Sequence, residues 1–588
     1  MKAFLKYFFW VLALTSCSRD PLDITPNGRI TMDEVFSDSE LTEAYLNKTY
    51  QSIRKYGHGY NYYHFLSALS DDAHDSMYPS DPKGMVDDFI EGNITEISDP
   101  FNIGVNHTTY IYNDTYIYKR NWEGIRRVNI FLSRVNDINV PNQLLRLRFI
   151  AEAKLLRAFF YLDLLRMYGP MPIISSDLTN VTDLSGIKRN TFQECSDFIS
   201  KDCDEAINEP NLPDRIALEA ERGRMTKAVA YAIKSQAKLF NASPLWNESN
   251  DLEKWKDAAD AAKVAVQNLE KANYSLASDY EKYFYTTNDI SSNPVDKETI
   301  YEITDWGYTG QVYRIFGNLL FLMHTIPDFG PEKAGNCPSQ ELVDSYDMID
   351  GSEPILGYHD TDHLQPIINP QSNYNDQAPY VSRDPRFYAT VWYNGAHYGN
   401  INGREVYIEA FLGGRHGISS VKTRTPTGYY QRKWLNPSAR NSPQSTGPRY
   451  RLYRLAELYL NLAEAENEAN GPTAVAYEAV NKVRHRAGMP DFPLNLSKEE
   501  FRRRIRKERR VEMALEENRF YDIRRWKILD EFGKVTTGME WTKDQKGNLT
   551  NRRIVTINRK SWEDRFLLMP IPADEITKLP SMKQNPGY

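Results

Sequence analysis

Two stretches of the sequence combine aromatic rings with carboxylates or amides, and these residue types together suit the recognition of a sugar. The first stretch carries Asp71, Asp72, Tyr78 and Asn102, and the second, YEITDWGYTGQVYRIF, carries Trp306, Tyr308, Tyr313 and Phe316. Flat aromatic faces pack against the C–H surface of a sugar ring, while carboxylates and amides pair with its hydroxyls. We therefore predict that these two stretches form a ligand-binding surface.

Trp306 is the first choice for a ligand contact. It directly follows a predicted short strand and precedes a glycine-containing turn, a position that exposes a side chain on a loop. The alternative is that Trp306 packs beneath its own loop as part of the core. A further aromatic set, Tyr429, Tyr430 and Trp434, offers a third place for a ligand to stack.

Motifs of catalysis are missing from the sequence. It contains no H-E-x-x-H, G-x-S-x-G, Walker or G-x-G-x-x-G pattern. The clusters HDTDH (His359–His363) and DDAHD (Asp71–Asp75) resemble metal sites, but neither has a partner cluster at a recognised spacing. We predict a protein that is not an enzyme and has no cofactor or metal. Calcium binding at DDAHD through carboxylate oxygens stays an open alternative.

The N-terminal segment has the layout of a secretory signal peptide. Lys2 and Lys6 precede an apolar run that ends at Leu14, and this run of about 8 residues is too short to span a membrane, which takes roughly 20. Leu-Thr-Ser-Cys, ending at Cys17, resembles the lipobox of bacterial lipoproteins. This implies that residues 1–16 are removed and that Cys17 carries lipid, since two or more acyl chains anchor a protein stably. A short buried helix is the alternative.

The amino-acid composition limits which classes of protein this chain can belong to. The 588-residue chain is 41% hydrophobic, has a net charge of −7 and contains four cysteines. The negative charge argues against a basic nucleic-acid footprint over the whole protein. No later run of apolar residues is long enough to span a membrane. On one helix Cys195 and Cys203 would be about 12 Å apart, too far for a disulfide, so we predict no disulfide framework.

Long amphipathic segments are predicted to form the scaffold that holds the two binding stretches. EAKLLRAFFYLDLLRMYGPMP (Glu152–Pro172) has a helical apolar period and is predicted to end at Gly169-Pro170. Two later helix pairs have alanines where their helices would cross, as in tetratricopeptide repeats. One pair is RMTKAVAYAIKSQAKLFNASPLW with EKWKDAADAAKVAVQNL, joined near Asn247–Asn250, and the other is YRLAELYLNLAEAENEANG with TAVAYEAVNKVRHRAG.

Residues 71–118 and 290–448 have weak helical periodicity and are rich in Gly, Pro, Asn, Asp and Tyr. We predict that they form long loops with short strands, and their aromatic content argues against disorder. The predicted fold class is therefore mostly α, a scaffold of helix pairs carrying two irregular regions.

The segment FRRRIRKERRVEMALEENRFYDIRRWK has two possible roles, a nucleic-acid helix or an ion-paired scaffold helix. Carboxylates interleave with its arginines, and a phosphate-binding face would exclude them. Arg504 and Glu508 are four residues apart, and Arg509 and Glu512 are three apart, spacings at which opposite charges meet on a helix. We predict these two ion pairs and no nucleic-acid partner.

Several stretches, in chain order, resemble one family, the SusD/RagB outer-membrane lipoproteins of the Bacteroidetes type. They are PNGRITMDEVFSD, WEGIRRVNIFLSRV, EAKLLRAFFYLDLLRMYGPMP, SQELVDSYDMIDG, SRDPRFYATVWYNG, AELYLNLAEAENEA, AVNKVRHRAG, RIRKERRVEMALEENRFYDIRRWK and LLMPIPADEITKLPSMKQNPGY. The similarity extends over nearly the whole chain, and the C-terminal stretch is the most characteristic. It implies one SusD-like domain over residues 17–588, with four tetratricopeptide-like units and looped regions beside them.

The resemblance also implies a function. Members of the family sit at the cell surface, lipid-anchored in the outer membrane, as a lid on a SusC-type TonB-dependent transporter, and they capture a glycan for import. By resemblance, the two loop regions flank the ligand face, which makes Trp306, Tyr308, Tyr313, Tyr78, Asp71 and Asp72 the expected ligand-binding residues. Two alternatives stay open: capture of peptides for the same kind of transporter, and a scaffold lipoprotein with no ligand of its own.

Overall fold

The computed structural model describes most of the chain. The described residues are 30–53, 65–79, 85–99, 101, 117–138, 140, 142–181, 183–285, 296–303, 325–330, 333–435 and 450–588. The predicted signal segment with Cys17, and the predicted ligand residues Asn102, Trp306, Tyr308, Tyr313 and Phe316, lie outside these ranges.

Helices dominate the described part of the chain, as the sequence predicts. They are α1 Met32–Ser37, α2 Ser39–Tyr50, α3 Met85–Glu91, α4 Ile117–Ser133, α5 Gln143–Tyr168, α6 Phe192–Ile207, α7 Lys227–Ala242, α8 Leu252–Lys271, α9 Tyr280–Tyr285, α10 Gln340–Ser345, α11 Pro385–Thr390, α12 Leu455–Asn470, α13 Ala474–Arg486, α14 Lys498–Glu512, α15 Asn518–Arg525, α16 Leu529–Phe532 and α17 Ala573–Lys578. Helices α4 to α8 pack successively on one another, and α12 continues the stack against α8 before α13 and α14. The prediction of a mostly helical scaffold of helix pairs is confirmed.

Helix α5 is the central element of the main core, and local chemistry sets both of its ends. The side chain of Asn142 accepts a hydrogen bond from the Leu144 N–H and caps the N-terminus. Gly169 ends the helix, as predicted, with a positive φ of 74° that favours glycine. At the crossing with α4, a Cβ added to Gly124 would lie 2.4 Å from the ring of Phe160, so only glycine allows this close approach.

The two predicted helix pairs are far apart in the sequence but adjacent in the fold. Asn247 joins α7 to α8 through hydrogen bonds to the carbonyls of Ala242 and Asp251. Helix α8 then packs directly on α12, and Ala258 and Ala465 lie in the same buried cluster at this contact. The residues between the end of α8 and the start of α12 therefore form an insertion whose two ends meet in the helix stack.

Short strands occur mainly in the predicted loop regions and near the C-terminus. They are β1 Ala73–Asp75, β2 Thr299–Glu302, β3 Asn336–Pro338, β4 Ile355–Tyr358, β5 Pro366–Ile368, β6 Val391–Trp392, β7 His397–Ile401, β8 Arg404–Tyr407, β9 Tyr430–Gln431, β10 Arg451–Arg454, β11 Val535–Lys543 and β12 Leu549–Asn558. All of them pair antiparallel, two strands to a sheet. Where they are described, the irregular regions thus consist of loops with short strands, in agreement with the sequence prediction.

Two further observations concern the described residues alone. Cys195, Cys203 and Cys337 are all buried free thiols. None of the helices in these ranges is both long and apolar enough to cross a membrane.

Candidate functional site: the junction of the two loop regions

The two predicted loop regions meet at a small antiparallel sheet. Ala73 pairs with Pro338, His74 with Cys337 and Asp75 with Asn336, so β1 of the first region is joined to β3 of the second. Two hydrogen bonds extend this pairing beyond the strands, from Ser76 N to Gly335 O at 2.8 Å and from Ser76 Oγ to Lys422 O at 2.7 Å. We call residues 65–79 and 333–338 together the loop junction.

Asp71 and Asp72 attach the loop junction to the arginine-rich helix and the helix that follows it. The carboxylate of Asp71 accepts two hydrogen bonds from Arg519, both at 2.8 Å, and lies 2.9 Å from Arg510. Asp72 accepts from Arg510 Nε at 2.7 Å. Burial opposes ionisation of Asp71, yet the two guanidinium groups hold its pKa well below the usual range. For Asp72, burial, reinforced by the charge of Asp71, raises the pKa.

These contacts correct the prediction that Asp71 and Asp72 bind the ligand. Each residue is only 1% exposed, and each carboxylate is engaged by arginine. A sugar hydroxyl would have to replace a buried ion pair to reach them, and breaking such a pair leaves an uncompensated buried charge. Their role in this structure is to hold the loop junction on the scaffold.

Tyr78 lies at the end of the same segment and is only half-buried. Its ring packs at a tilt against His74, with 5.8 Å between the ring centroids. Burial lowers the pKa of His74 to about 4, so the imidazole is neutral near pH 7. Its Nε2 then donates to the backbone carbonyl of Tyr78 at 3.1 Å. Tyr78 is therefore a predicted ligand residue that keeps a partly exposed ring on a firmly held backbone.

A second buried ion pair fixes the other side of the junction. Lys333 Nζ lies 3.0 Å from Asp75 Oδ2, and both side chains are almost fully buried. Burial lowers the pKa of Lys333, although Asp75 partly offsets that shift. Because the cation and the carboxylate come from different loop regions, this pair holds two segments together that are far apart in the sequence.

The third aromatic set, Tyr429, Tyr430 and Trp434, forms part of the core and does not line a surface. All three side chains are 0% exposed. They lie in three separate buried clusters, each formed largely by residues of the insertion. Tyr429 donates a hydrogen bond to Gln340 Oε1 at 2.5 Å. The prediction that they offer a stacking surface is therefore wrong, because the short strands fold these rings inward to cover the insertion's own core.

The arginine-rich segment forms two helices, α14 and α15, and is ion-paired, as predicted, but with other partners. Arg504 pairs with Glu500 and Glu353 rather than with Glu508, and Arg509 pairs with Glu457 and Asp522 rather than with Glu512. Glu508 and Glu512 face inward and bind arginines from other elements. The segment is thus part of the scaffold, and its charges join distant parts of the chain.

Within the described ranges, no group of three or more His, Cys, Asp or Glu side chains is placed so that it could hold a metal ion. His363 of the HDTDH segment instead contacts Glu341 through Nδ1 at 3.1 Å. Asp75 of the DDAHD segment is engaged by Lys333. The chemistry available at the loop junction is hydrogen bonding and ring stacking around buried, paired charges.

Comparison with protein-family models gives two matches. A model described as "SusD family" matches residues 325–588, and one described as "Starch-binding associating with outer membrane" matches residues 62–239. A SusD-like protein of Formosa agariphila is 24% identical over 457 residues, 74% of each chain. A SusD-like protein of Bacteroides ovatus is 25% identical over 414 residues, 68% of this chain and 64% of that protein.

Solved structures share the fold. A SusD-like protein of Bacteroides fragilis is 26% identical, with a TM-score of 0.75 over 95% of this chain and 99% of that one. A SusD-like carbohydrate-binding protein of the same species, at 22% identity, has a TM-score of 0.70 over 93% of this chain and all of that one. A laminarin-binding SusD-like protein, also at 22% identity, has a TM-score of 0.57 over 94% and 99% of the two chains.

Proposed function

The chain belongs to the SusD/RagB family, and we propose that it captures a glycan at the cell surface and delivers it to a SusC-type TonB-dependent transporter. The observation that carries this proposal is the pairing of β1 with β3, which brings the two aromatic-rich loop regions together on one helical scaffold. The match to a family described as starch-binding and associated with the outer membrane supports a carbohydrate ligand. Relatives of the same fold that bind carbohydrate or laminarin support it further.

The proposed ligand residues are Trp306, Tyr308 and Tyr313 of the second loop region, together with Tyr78 of the first. Tyr78 is the member of this set whose position is described, and its ring is half-buried at the loop junction. Aromatic rings supply the apolar faces that a sugar needs, and nearby backbone and amide groups pair with its hydroxyls. The proposed mechanism is binding without catalysis.

The proposal includes the anchor and the domain boundaries. Residues 1–16 are removed as a signal peptide, Cys17 carries the lipid, and residues 17–588 form one SusD-like domain that faces outward from the outer membrane. The domain rests on the transporter as a lid, which opens to load the glycan and closes to pass it inward.

Replacing Trp306 with alanine is expected to abolish glycan capture, or to weaken it at least 10-fold. Loss of one stacking platform removes the apolar contact area on which the C–H surface of a sugar ring would pack. The measurement is affinity electrophoresis of the mature chain carrying Cys17→Ser, through gels that contain a panel of polysaccharides. Trp562→Ala is the matched control, since Trp562 is a partly exposed tryptophan that packs under Lys534 outside the two loop regions.

The pattern of retardation separates the hypotheses. Retardation by one glycan that Trp306→Ala removes and Trp562→Ala leaves supports both the function and the site. Retardation that survives Trp306→Ala keeps the function and discards Trp306 as a ligand contact. If no glycan retards the protein, glycan capture is contradicted, and a parallel panel of peptides tests the alternative ligand class.

Replacing Cys17 with serine is expected to release the protein from the membrane fraction. A hydroxyl does not accept the thioether-linked lipid, and a chain without acyl groups has no stable hold on the bilayer. The measurement is the partition of protein between membrane and soluble fractions after cell lysis. Ser18→Ala is the neighbouring control. A Cys17→Ser protein that still sediments with the outer membrane would contradict lipid anchoring at this residue.

A further inference from the structure

A cleft of about 510 Å³ lies beside the arginine-rich helix, and none of the described residues that line it is an aromatic residue proposed as a ligand contact. One wall is the face of α14 that carries Glu499, Arg502, Arg506 and Arg510, residues three or four positions apart and therefore on one side of the helix. Strand β4 and Phe532 of α16 also line the cleft. The volume falls within the roughly 300–1,000 Å³ of small-molecule sites.

Most of the basic side chains at this cleft are already neutralised by carboxylates. Arg502 binds Glu468 at 2.5 Å, Arg503 binds Glu353 at 2.5 Å, Lys507 binds Asp347 at 2.6 Å, Arg510 binds Asp72 at 2.7 Å, and Arg519 binds Asp71 at 2.8 Å. These ion pairs hold the side chains that line the cleft in place, and a ligand would have to compete with a protein carboxylate for each basic group.

Arg506 differs from its neighbours. Within the described ranges it forms no ion pair, and its Nε is buried without a hydrogen-bond partner. Its guanidinium stacks on the ring of Trp526, with 4.7 Å from Cζ to the ring centroid. The carboxylate whose charge compensates Arg506 most is Glu464, but its oxygens are bound by Arg525 at 2.6 and 2.7 Å. A largely desolvated cation without a bound carboxylate is a ready partner for an anionic ligand.

Burial lowers the pKa of Arg506, and the charge of Glu464 only partly offsets this effect. The direction agrees with the geometry, because a carboxylate in contact would raise the pKa of the guanidinium instead. Arginine nevertheless keeps its proton at neutral pH, so the cleft retains a fixed positive charge.

The rest of the cleft suits a ligand that also carries hydroxyls and an apolar face. Tyr358 and His363 stack in parallel, with their ring centroids 4.2 Å apart, and both line the cleft. Glu499 and Glu531 lie exposed at its edge and form no ion pair with any residue in the described ranges. Free carboxylates accept hydrogen bonds from hydroxyls but repel a simple anion, so they favour a ligand that combines both kinds of group.

We propose that this cleft binds an acidic sugar unit, one that carries a carboxylate or a sulfate. Arg506 binds the anionic group, Glu499 and Glu531 accept hydrogen bonds from the hydroxyls, and Tyr358 packs against the ring. The sugar identity rests on the proposed function, whereas the requirement for a negative charge comes from Arg506 itself. The cleft would be a charge-selective site in addition to the proposed aromatic ligand residues.

Isothermal titration of the mature chain carrying Cys17→Ser tests this proposal, with sodium glucuronate, glucose 6-sulfate and glucose as probes at constant ionic strength. Glucuronate and glucose 6-sulfate are expected to bind at least 10-fold more tightly than glucose. Arg506→Gln is expected to weaken binding of both acids at least 10-fold, while Arg506→Lys keeps part of the affinity. Arg552→Gln is the control, since this arginine is 71% exposed on β12 and does not line the cleft.

The relative affinities for glucose, the two acids and a dipeptide decide whether the cleft is an acidic-sugar site. Equal affinity for glucose and the two acids would overturn it, and so would acid binding that Arg506→Gln leaves intact in a folded protein. Tighter binding of glycylglycine than of glucuronate, with the same dependence on Arg506, would replace the sugar by a peptide terminus. Failure here is distinct from failure of the proposed function, because the gels report Trp306-dependent polysaccharide capture and the titration reports Arg506-dependent acid binding.

Discussion

Replacing Glu512 with glutamine is expected to lower the free energy of unfolding by about 3–5 kcal/mol, the usual cost of removing one partner from a buried ion pair. Glu512 is 0% exposed and accepts hydrogen bonds from Arg454 at 2.6 Å, from Arg386 at 3.0 Å and from Arg486. Burial opposes its ionisation, yet these three guanidinium groups hold its pKa well below the usual range. A neutral amide would leave the positive charges of three buried arginines only partly neutralised.

The arginines around Glu512 come from three separate places, which makes this carboxylate a meeting point of the fold. Arg386 lies on α11 in the insertion, Arg454 ends strand β10, and Arg486 ends α13. When these arginines lose the carboxylate they share, the contact between the insertion and the helix stack should therefore loosen. This effect adds to the local destabilisation around Glu512.

Urea unfolding followed by circular dichroism gives the measurement. Glu248→Gln is the matched control, because Glu248 is 76% exposed and pairs with Lys527 on the surface. Its free energy of unfolding should stay within about 0.5 kcal/mol of the parent, as for most surface substitutions. A Glu512→Gln protein as stable as the Glu248→Gln protein would contradict the view that this network stabilises the fold.

Replacing Asp71 with asparagine is expected to open the loop junction. Arg519 and Arg510 would then be buried without their carboxylate, and the local opening free energy should fall by about 3 kcal/mol. This corresponds to roughly 100-fold faster amide exchange in residues 65–79 and 333–338, if those amides exchange through local opening. Hydrogen exchange with mass spectrometry of peptides from the two segments provides the measurement.

The same variant distinguishes a structural role of Asp71 from a direct ligand contact. If Asp71 holds the junction, exchange becomes faster in both segments, and glycan affinity falls only as a consequence. If Asp71 instead contacts the ligand, affinity falls while exchange in the unliganded protein stays at the parent rate. Asp574→Asn is the control, since Asp574 is 69% exposed and pairs only weakly with Lys578 at 3.2 Å.

The ion pairs of α14 show what residue spacing along a helix predicts correctly and what it does not. The interleaved carboxylates correctly indicated an ion-paired helix, but the pairing of Arg504 with Glu508 and of Arg509 with Glu512 was wrong. Spacing on an isolated helix identifies neighbours on its surface. In the fold, Glu508 and Glu512 lie on the buried face, where arginines from other elements reach them with better geometry and less solvent.

The aromatic residues show the same limit in another form. Tyr78 and Tyr429 have the same side chain and both lie in irregular regions, yet one ring is half-buried and the other is fully buried. Residue type predicts that an aromatic ring can stack on a sugar, but it does not say which side of a short strand faces the core. The insertion has buried clusters of its own, and these contain aromatic rings that the sequence analysis predicted to be available to a ligand.

The sequence by itself determined the helices, several of their ends and the division into scaffold and loop regions, because helical period, capping and helix-stopping residues act within a few positions. Gly169 and Asn247 are examples of ends and turns that were predictable in this way. The tertiary structure decided which charges meet and which rings are covered. Arg510 and Arg519 hold Asp72 and Asp71 from 438 and 448 residues away, and no local pattern encodes a contact over such a separation.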